Sequence, residues 1–149
     1  DLSLPHDLEN DPGNQALTAD WVEFAGPRGE RLYDLRDAPR PSAEAPAPVR
    51  FLAKWDSLLR GHQRRTRVIS DEHRKVVIRK NGDVSESFTV DGFVAGTWNV
   101  TSKRGHAALT LSPFAPVPRA VARELEREGE QLLRFLAAEV KSIAIEGVR

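Results

Sequence analysis

The chain has 149 residues, with 22 Lys and Arg against 22 Asp and Glu, a formal net charge of zero and no cysteine. A balanced total charge favours no class of partner, and the lack of cysteine excludes disulfides, thiol catalysis and cysteine-ligated zinc. The four histidines form no His-x-x-x-His or His-Glu-x-x-His pair, so we expect no metal and no cofactor. No apolar run approaches the roughly 20 residues that span a bilayer, and we expect a cytoplasmic protein without membrane contact. Because no methionine stands even at position 1, we expect the chain to be part of a longer protein.

The charges are unevenly distributed along the chain. Residues 1–48 carry ten acids and four bases, a net of −6, whereas residues 54–80 carry nine bases and three acids, a net of +6. A concentrated basic block attracts a polyanion locally even in a neutral chain. The alternative is a solvated surface that pairs with the acidic N-terminal part. Both interpretations remain open at this point.

The N-terminal third predicts little regular structure. Residues 1–16 are polar and indicate a loop, after which Thr18 is a candidate cap for a short helix through Phe24. Residues 31–35 alternate in the manner of a short strand. Four prolines within residues 37–48 remove hydrogen-bond donors and favour an extended, semi-rigid connector between two structural units.

The central part predicts short antiparallel strands joined by tight turns. The predicted strands are residues 49–53, 75–79, 84–90, 93–101 and 106–112. Asn81-Gly82 and Asp91-Gly92 are strong hairpin signals because both positions tolerate positive φ, and residues 102–105 form a third turn. Residues 57–59 are either a helical turn or the end of the first strand, and residues 60–74 are a basic connection.

This spacing of strands predicts a small antiparallel β-barrel or a curled sheet. Gly96 lies in mid-strand and indicates a bend or bulge. From Arg119 to about Lys141 the apolar residues recur as in an amphipathic helix, which predicts one long C-terminal helix packed across the sheet. A dimerising coiled coil is the alternative, although Gly129 interrupts it. The predicted class is therefore α+β over residues 49–149, preceded by the Pro-rich arm.

No catalytic constellation emerges, since Ser57, His62 and Asp56 are scattered and nothing resembles a nucleophile elbow. Arginine suits bidentate phosphate contact, and a basic hairpin tip is suited to a nucleic-acid groove or backbone. The predicted DNA-backbone contacts are Arg60, Arg64, Arg65, Arg67, Lys103 and Arg104. The alternative for each is an ordinary cation of an exposed turn.

Two further residue types need an explanation. Asp56 stands in an apolar context and needs partners, so we predict a structural ion pair with the arginines of 64–67; the alternative is an acid at the edge of a site. Trp55 and Trp98 lie in apolar strand patterns and are predicted to fill the core, with base stacking as the alternative.

Five phrases of the sequence carry a resemblance to a known family. They are residues 33–41 (YDLRDAPRP), 46–52 (PAPVRFL), 55–59 (WDSLL), 65–69 (RTRVI) and 90–98 (VDGFVAGTW). In this order they resemble the C-terminal part of the bacterial winged-helix DNA-binding family of actinobacterial type. Its characterised members include DNA glycosylases that unhook interstrand crosslinks and excise bulky alkylated bases.

The resemblance covers about residues 30–140 and implies a C-terminal β-barrel that follows tandem winged-helix domains. It implies that residues 1–36 are the remnant of a winged-helix-like unit or a disordered end, and that the partners are DNA and the preceding domains of the same protein. The family's catalytic Gln-x-Gln or Gln-x-Asp motif is absent, because Gln15, Gln63 and Gln131 form neither.

We therefore expect a DNA-contacting C-terminal domain of the glycosylase type that is catalytically silent by itself. The alternatives are a non-catalytic DNA-binding or regulatory protein, an uncharacterised structural barrel, and a barrel that binds a small ligand in its mouth.

Overall fold

The computed structural model describes residues 20–26, 29–42, 44–61, 65–103, 105–136 and 142–147. The chain divides into two compact units, residues 1–45 and 46–149. The division falls inside the segment of four prolines, whose few backbone donors limit regular pairing.

The first unit contains an antiparallel strand pair. Strands β1 (Trp21–Ala25) and β2 (Arg31–Leu35) pair from Trp21 opposite Leu35 to Ala25 opposite Arg31. The Trp21 and Tyr33 rings lie 6.3 Å apart. The Arg40 guanidinium lies 4.9 Å from the centre of the Phe24 ring and pairs with Asp34 at 3.4 Å.

The helix predicted to run through Phe24 is wrong, because residues 21–25 form a strand. Trp, Val and Phe favour a pleated surface over a helix, and the cross-strand aromatic pair stabilises the pairing. The strand predicted at residues 31–35 is confirmed.

The second unit is built on a five-stranded sheet in the order β3-β4-β5-β6-β7. Its strands are β3 (Arg50–Leu52), β4 (Ser87–Val90), β5 (Phe93–Lys103), β6 (His106–Pro113) and β7 (Ser142–Glu146). Neighbours are antiparallel except for β6 and β7, which are parallel. The predicted turn at Asp91-Gly92 is confirmed, with φ of 50° and 77° at its two residues.

Gly96 marks a bulge, as predicted. Phe88 pairs with Gly96 but Thr89 pairs with Val94, so β5 contains one extra residue opposite β4. A Cβ at position 96 would lie 2.5 Å from the Phe88 ring and 2.6 Å from the carbonyl oxygen of Ser112. Glycine is therefore required because the Phe88 ring, fully buried in the core, occupies the space of a side chain.

The long helix α3 (Arg119–Leu136) packs on the sheet, as predicted. Leu125, Gly129 and Leu133 are its buried residues, and the two leucines join Phe88 and Leu109 in the main core. A Cβ on Gly129 would come within 2.7 Å of the Leu109 side chain, so the glycine lets the helix approach β6 closely.

The α+β class is confirmed, but a closed barrel is not. Among the described strands, β3 and β7 lie at opposite edges of the sheet and do not pair with each other. Helix α3 contacts both of these edge strands and β6. It therefore covers one face of the sheet, which buries apolar surface without closing the strands into a ring.

Two short helices and a second core replace a strand that the sequence predicts. Helix α1 (Ser57–Arg60) confirms the helical-turn alternative, and helix α2 (Asp71–Val77) occupies most of the predicted strand 75–79 and the end of the predicted connection 60–74. The second core contains the buried residues Leu52, Leu59, Ile69, Val77, Val84 and Val94.

Helix α2 forms because its N-terminus is well capped. The Ser70 hydroxyl accepts the His73 N–H at 3.1 Å, and Asp71 and Glu72 lie in the first turn, where negative charge is favourable. Only Ile78 retains the predicted pairing, as an isolated bridge to Val84 across the Asn81-Gly82 turn. The uninterrupted antiparallel meander predicted from residue 75 is therefore wrong at its beginning.

Strand β7 is absent from the sequence predictions, which extended the last helix to about residue 141. Residues 142–146 instead pair in parallel with β6, from His106 opposite Ser142 to Thr110 opposite Glu146. The alternation of isoleucine with small and polar residues in Ser-Ile-Ala-Ile-Glu suits a strand once a partner edge is available.

We predict that Gly96→Ala destabilises the second unit by about 1–3 kcal/mol, because its methyl group overlaps the Phe88 ring. Urea denaturation followed by circular dichroism measures the loss. Combining it with Phe88→Leu removes part of the overlap, so the double variant should lose less stability than the sum of the single variants. Additive losses would contradict this explanation of the bulge.

Candidate nucleic-acid interface

The predicted site begins at helix α1, which Asp56 caps. The Asp56 carboxylate accepts the Leu58 N–H at 2.9 Å, while the backbone N–H of Gly61 closes the other end on the Ser57 carbonyl at 2.7 Å. Arg60 is the exposed basic residue of the last turn, where positive charge complements the helix dipole.

The Asp56 ion pair stays a prediction. Within the described residues the Asp56 carboxylate serves as a helix cap, and Arg64 lies outside those residues. The cap is a sufficient reason for an acid at this half-buried position, because it satisfies a backbone donor that α1 leaves free.

Arg65 links the next turn to α1. Its Nε donates to the Leu59 carbonyl oxygen, and its own carbonyl accepts the N–H groups of Val68 and Ile69, both at 2.9 Å. The turn thereby places Arg67 on the surface between the half-buried Arg65 and the buried Ile69. The structure thus brings together Arg60, Arg65 and Arg67 of the predicted contacts.

Lys54 and Trp55 adjoin these arginines on the other side of α1. The Trp55 N–H donates to the Val84 carbonyl at 3.2 Å, and the Lys54 ammonium lies 3.3 Å from Asp83 Oδ1. These contacts place the Lys54-Trp55 turn beside the turn that carries the exposed Arg79 and Lys80.

Six basic residues lie close in sequence to buried residues of the second core, and we call them the basic rim. They are Lys54, Arg60, Arg65, Arg67, Arg79 and Lys80.

Lys103 lies at the opposite end of β5 from Arg67. Val94 N–H donates to the Val68 carbonyl at 2.8 Å, which fixes the Arg65–Arg67 turn at the beginning of β5, whereas Lys103 is the last residue of that strand. The nine residue steps from Val94 to Lys103 pass the bulge at Gly96 and span at most about 30 Å. The predicted basic residues thus occupy two separate regions, and Arg104, like Arg64, lies outside the described residues.

Trp55 is not a core residue, which overturns the sequence expectation. Its side chain is exposed (53%), whereas Trp98 packs against the main core and donates its Nε1 to the Leu52 carbonyl at 2.9 Å. A usable signal was present in the sequence, because Lys54 and Asp56 flank Trp55 and break the alternation that ends at Leu52.

An apolar groove of about 390 Å³ opens beside the start of β5. The His73 ring stacks on the Phe114 ring at one side, with 4.2 Å between centroids. Ser70 and His73 are the polar side chains of its lining, and the Ser70 hydroxyl already caps α2. Ligand sites usually present several converging polar groups, so the groove offers little to orient a polar ligand.

In the described part of the chain, no group of three or more His, Asp or Glu side chains is placed to hold a metal ion. No helix among the same residues is long and apolar enough to cross a membrane.

Comparisons with known proteins identify the family. Residues 11–135 match the family described as "DNA glycosylase AlkZ-like". The chain belongs to the AlkZ-like DNA glycosylase family. It is 30% identical over 109 residues to an interstrand DNA cross-link repair glycosylase of Streptomyces sahachiroi, covering 71% of this chain and 28% of that protein.

A solved AlkZ-like structure shares the fold. The DNA glycosylase AlkZ of Streptomyces sahachiroi superposes with a TM-score of 0.61 at 23% sequence identity, over 88% of this chain and 34% of that one. The chain spans about a third of the length of the AlkZ-like proteins that it matches.

We predict that Asp56→Ala lowers the free energy of unfolding by about 1 kcal/mol through loss of the α1 cap, whereas Asp56→Asn retains most of the stability because asparagine caps equally well. Chemical denaturation of both variants measures the difference. An asparagine variant as unstable as the alanine variant would favour the ion pair over the cap, since only the carboxylate carries charge.

Proposed function

We propose that this chain is a DNA-contacting part of a DNA glycosylase that acts on crosslinked or bulky alkylated bases, with winged-helix domains preceding it. The proposal is supported by membership of the AlkZ-like family and by the crosslink-repair function in the name of the curated relative. In this proposal the chain binds the phosphate backbone of DNA, and other parts of the whole protein excise the damaged base.

The observation that carries the proposal is the arrangement of the basic rim. Its members lie close in sequence to buried residues of the second core, and Arg60 and Arg67 are exposed and form no ion pair with any described residue. Exposed arginines that lack a carboxylate partner are available for bidentate phosphate contact. The rim also lies in the segment with a net charge of +6, so its field attracts a polyanion.

Arg65 has a divided role in this proposal. Its Nε holds the Leu59 carbonyl, which leaves the two terminal nitrogens of the guanidinium for a phosphate. Replacing Arg65 therefore disturbs the fold of the turn as well as binding, and Arg67 is the cleaner residue for a test.

Lys103, together with Arg104, forms the second proposed contact. Because β5 spans at most about 30 Å from Val94 to Lys103 and a duplex rises about 3.4 Å per base pair, the Arg67 and Lys103 contacts fall within about nine base pairs of each other in this proposal. Arg64 is proposed to extend the rim contact.

We predict that Arg67→Ala and Lys103→Ala each flatten the plot of log affinity against log salt by roughly 0.9, since each removes one phosphate contact and its released counterion. A 20-base-pair duplex in fluorescence anisotropy titrations at several salt concentrations provides the measurement. Both variants should weaken unrelated sequences about equally.

Arg123→Ala, on an exposed position of α3, is the matched control and should leave the slope unchanged. Arg65→Ala should lower the melting temperature, which Arg67→Ala should not. Unchanged slopes for both Arg67→Ala and Lys103→Ala would refute the proposed backbone contacts.

We also predict that the 149-residue chain releases no alkylated base from DNA, because its glutamines form neither motif that the family resemblance associates with catalysis. Incubation with a duplex containing 7-methylguanine, followed by strand cleavage at abasic sites, provides the measurement. An active alkylbase glycosylase serves as the positive control. Base release by the purified chain would show that catalytic groups lie within it.

A further inference from the structure

Trp55 presents a large aromatic surface to solvent. Tryptophan is usually well buried, yet residue Trp55 is 53% exposed in this protein. Among the described residues its indole Nε1 finds no hydrogen-bond acceptor, whereas the Trp98 Nε1 is bonded to Leu52. The ring's contact within this unit is with the Lys54 ammonium, 4.8 Å from its centre. A smaller aromatic ring would also provide that contact, so it does not require tryptophan at position 55.

The backbone fixes this exposed ring in a strained conformation. Trp55 has φ of 59°, which for a bulky residue costs on the order of 1–3 kcal/mol and persists only where the surroundings enforce it. They do so here: the Trp55 N–H is held by the Val84 carbonyl, and the Asp56 N–H by the Ala53 carbonyl, both at 3.2 Å. Glycine or asparagine would adopt this φ with less backbone strain than tryptophan.

The surroundings of the ring are charged. The Lys54 ammonium lies 4.8 Å from the centre of the Trp55 ring while it also pairs with Asp83. Arg79 and Lys80 are exposed on the adjoining turn. An apolar protein partner would find few apolar neighbours beside this ring, whereas exposed aromatic rings interspersed with cations are typical of surfaces that bind single-stranded nucleic acid.

We propose that Trp55 is a stacking platform for an unpaired base of DNA, and that Arg79 and Lys80 hold the neighbouring phosphates. This inference rests on the proposed DNA contact and deepens it, since it assigns base contact to one residue and backbone contact to its neighbours. Stacking requires no particular base, because every base has an aromatic face.

The test compares two single-stranded probes with the same number of phosphates. One is a 12-nucleotide oligothymidylate and the other is a 12-unit abasic oligomer, which has the backbone without bases. Two variants of the full chain are measured against wild type. Trp55→Asn removes the ring and tolerates the positive φ, and Trp55→Tyr retains an aromatic ring.

The expected result is that Trp55→Asn weakens binding to the oligothymidylate about 5- to 150-fold, the range for loss of one stacked base. Binding to the abasic oligomer and the salt slope should stay unchanged, and Trp55→Tyr should retain most of the affinity. Phe135→Ala, which removes an aromatic side chain that is 84% exposed on α3, is the control and should alter neither affinity.

The other outcomes separate the two proposals. If wild type binds both probes and Trp55→Asn binds the oligothymidylate as wild type does, the stacking role is wrong and the backbone contact stands. An equal loss on both probes, or a loss accompanied by a lower melting temperature, assigns Trp55 a structural role and overturns stacking. If wild type binds neither probe nor the 20-base-pair duplex, the proposed function itself fails.

Discussion

The second core is the constraint on which the candidate interface depends. Leu59 from α1, Ile69 from the following turn and Val77 from α2 are all essentially inaccessible to solvent. They meet Val94 of β5 and Val84, which bridges to Ile78. Helices of four and seven residues are too short to be stable alone in water. Their burial against the sheet therefore stabilises them and sets the positions of the cations between them.

Two polar contacts also stabilise helix α1. Asp56 caps the beginning of α1, and Arg65 binds the Leu59 carbonyl near its end. Each satisfies a backbone group that so short a helix leaves without an internal partner. Removing either side chain would loosen the segment that carries Arg60 and Arg67, so structural and binding roles are separated more clearly at Arg67 than at Arg65.

The length of β5 limits the electrostatic coupling between Arg67 and Lys103, which lie near its opposite ends. Up to about 30 Å of strand lies between Val94, which holds the Arg67 turn, and Lys103, against a Debye length of about 10 Å at 0.1 M salt. Salt therefore weakens the coupling between Arg67 and Lys103 at that ionic strength. Each acts on the phosphates nearest to it, and a ligand that engages both has to be extended, as a duplex is.

The sequence predicted those features that depend on local chemistry. The Asp91-Gly92 turn was found because its positive φ values require such residues, and the bulge at Gly96 because a glycine in mid-strand has few other uses. The predictions failed at residues 75–79 and 142–146. The sequence of each segment is compatible with both helix and strand. The cap at Ser70 favours the helix that includes residues 75–77, and the free edge of β6 favours the strand at residues 142–146.

The failure at Trp55 has a different cause. Sequence reasoning assigns a tryptophan in an apolar stretch to the core, because burial of its surface is the strongest available stabilisation. Other contacts hold the chain around Trp55. Lys54 pairs with Asp83, the Trp55 N–H donates to the Val84 carbonyl, and the Asp56 carboxylate accepts the Leu58 N–H. These three contacts leave the backbone at Trp55 no freedom to turn the ring inward. The residue thus combines exposed apolar area with backbone strain, two unfavourable terms that the contact with the Lys54 ammonium offsets only in part. Such local inconsistency is more typical of functional sites than of scaffolds, and a ligand with an aromatic face would offset the first term by covering the ring.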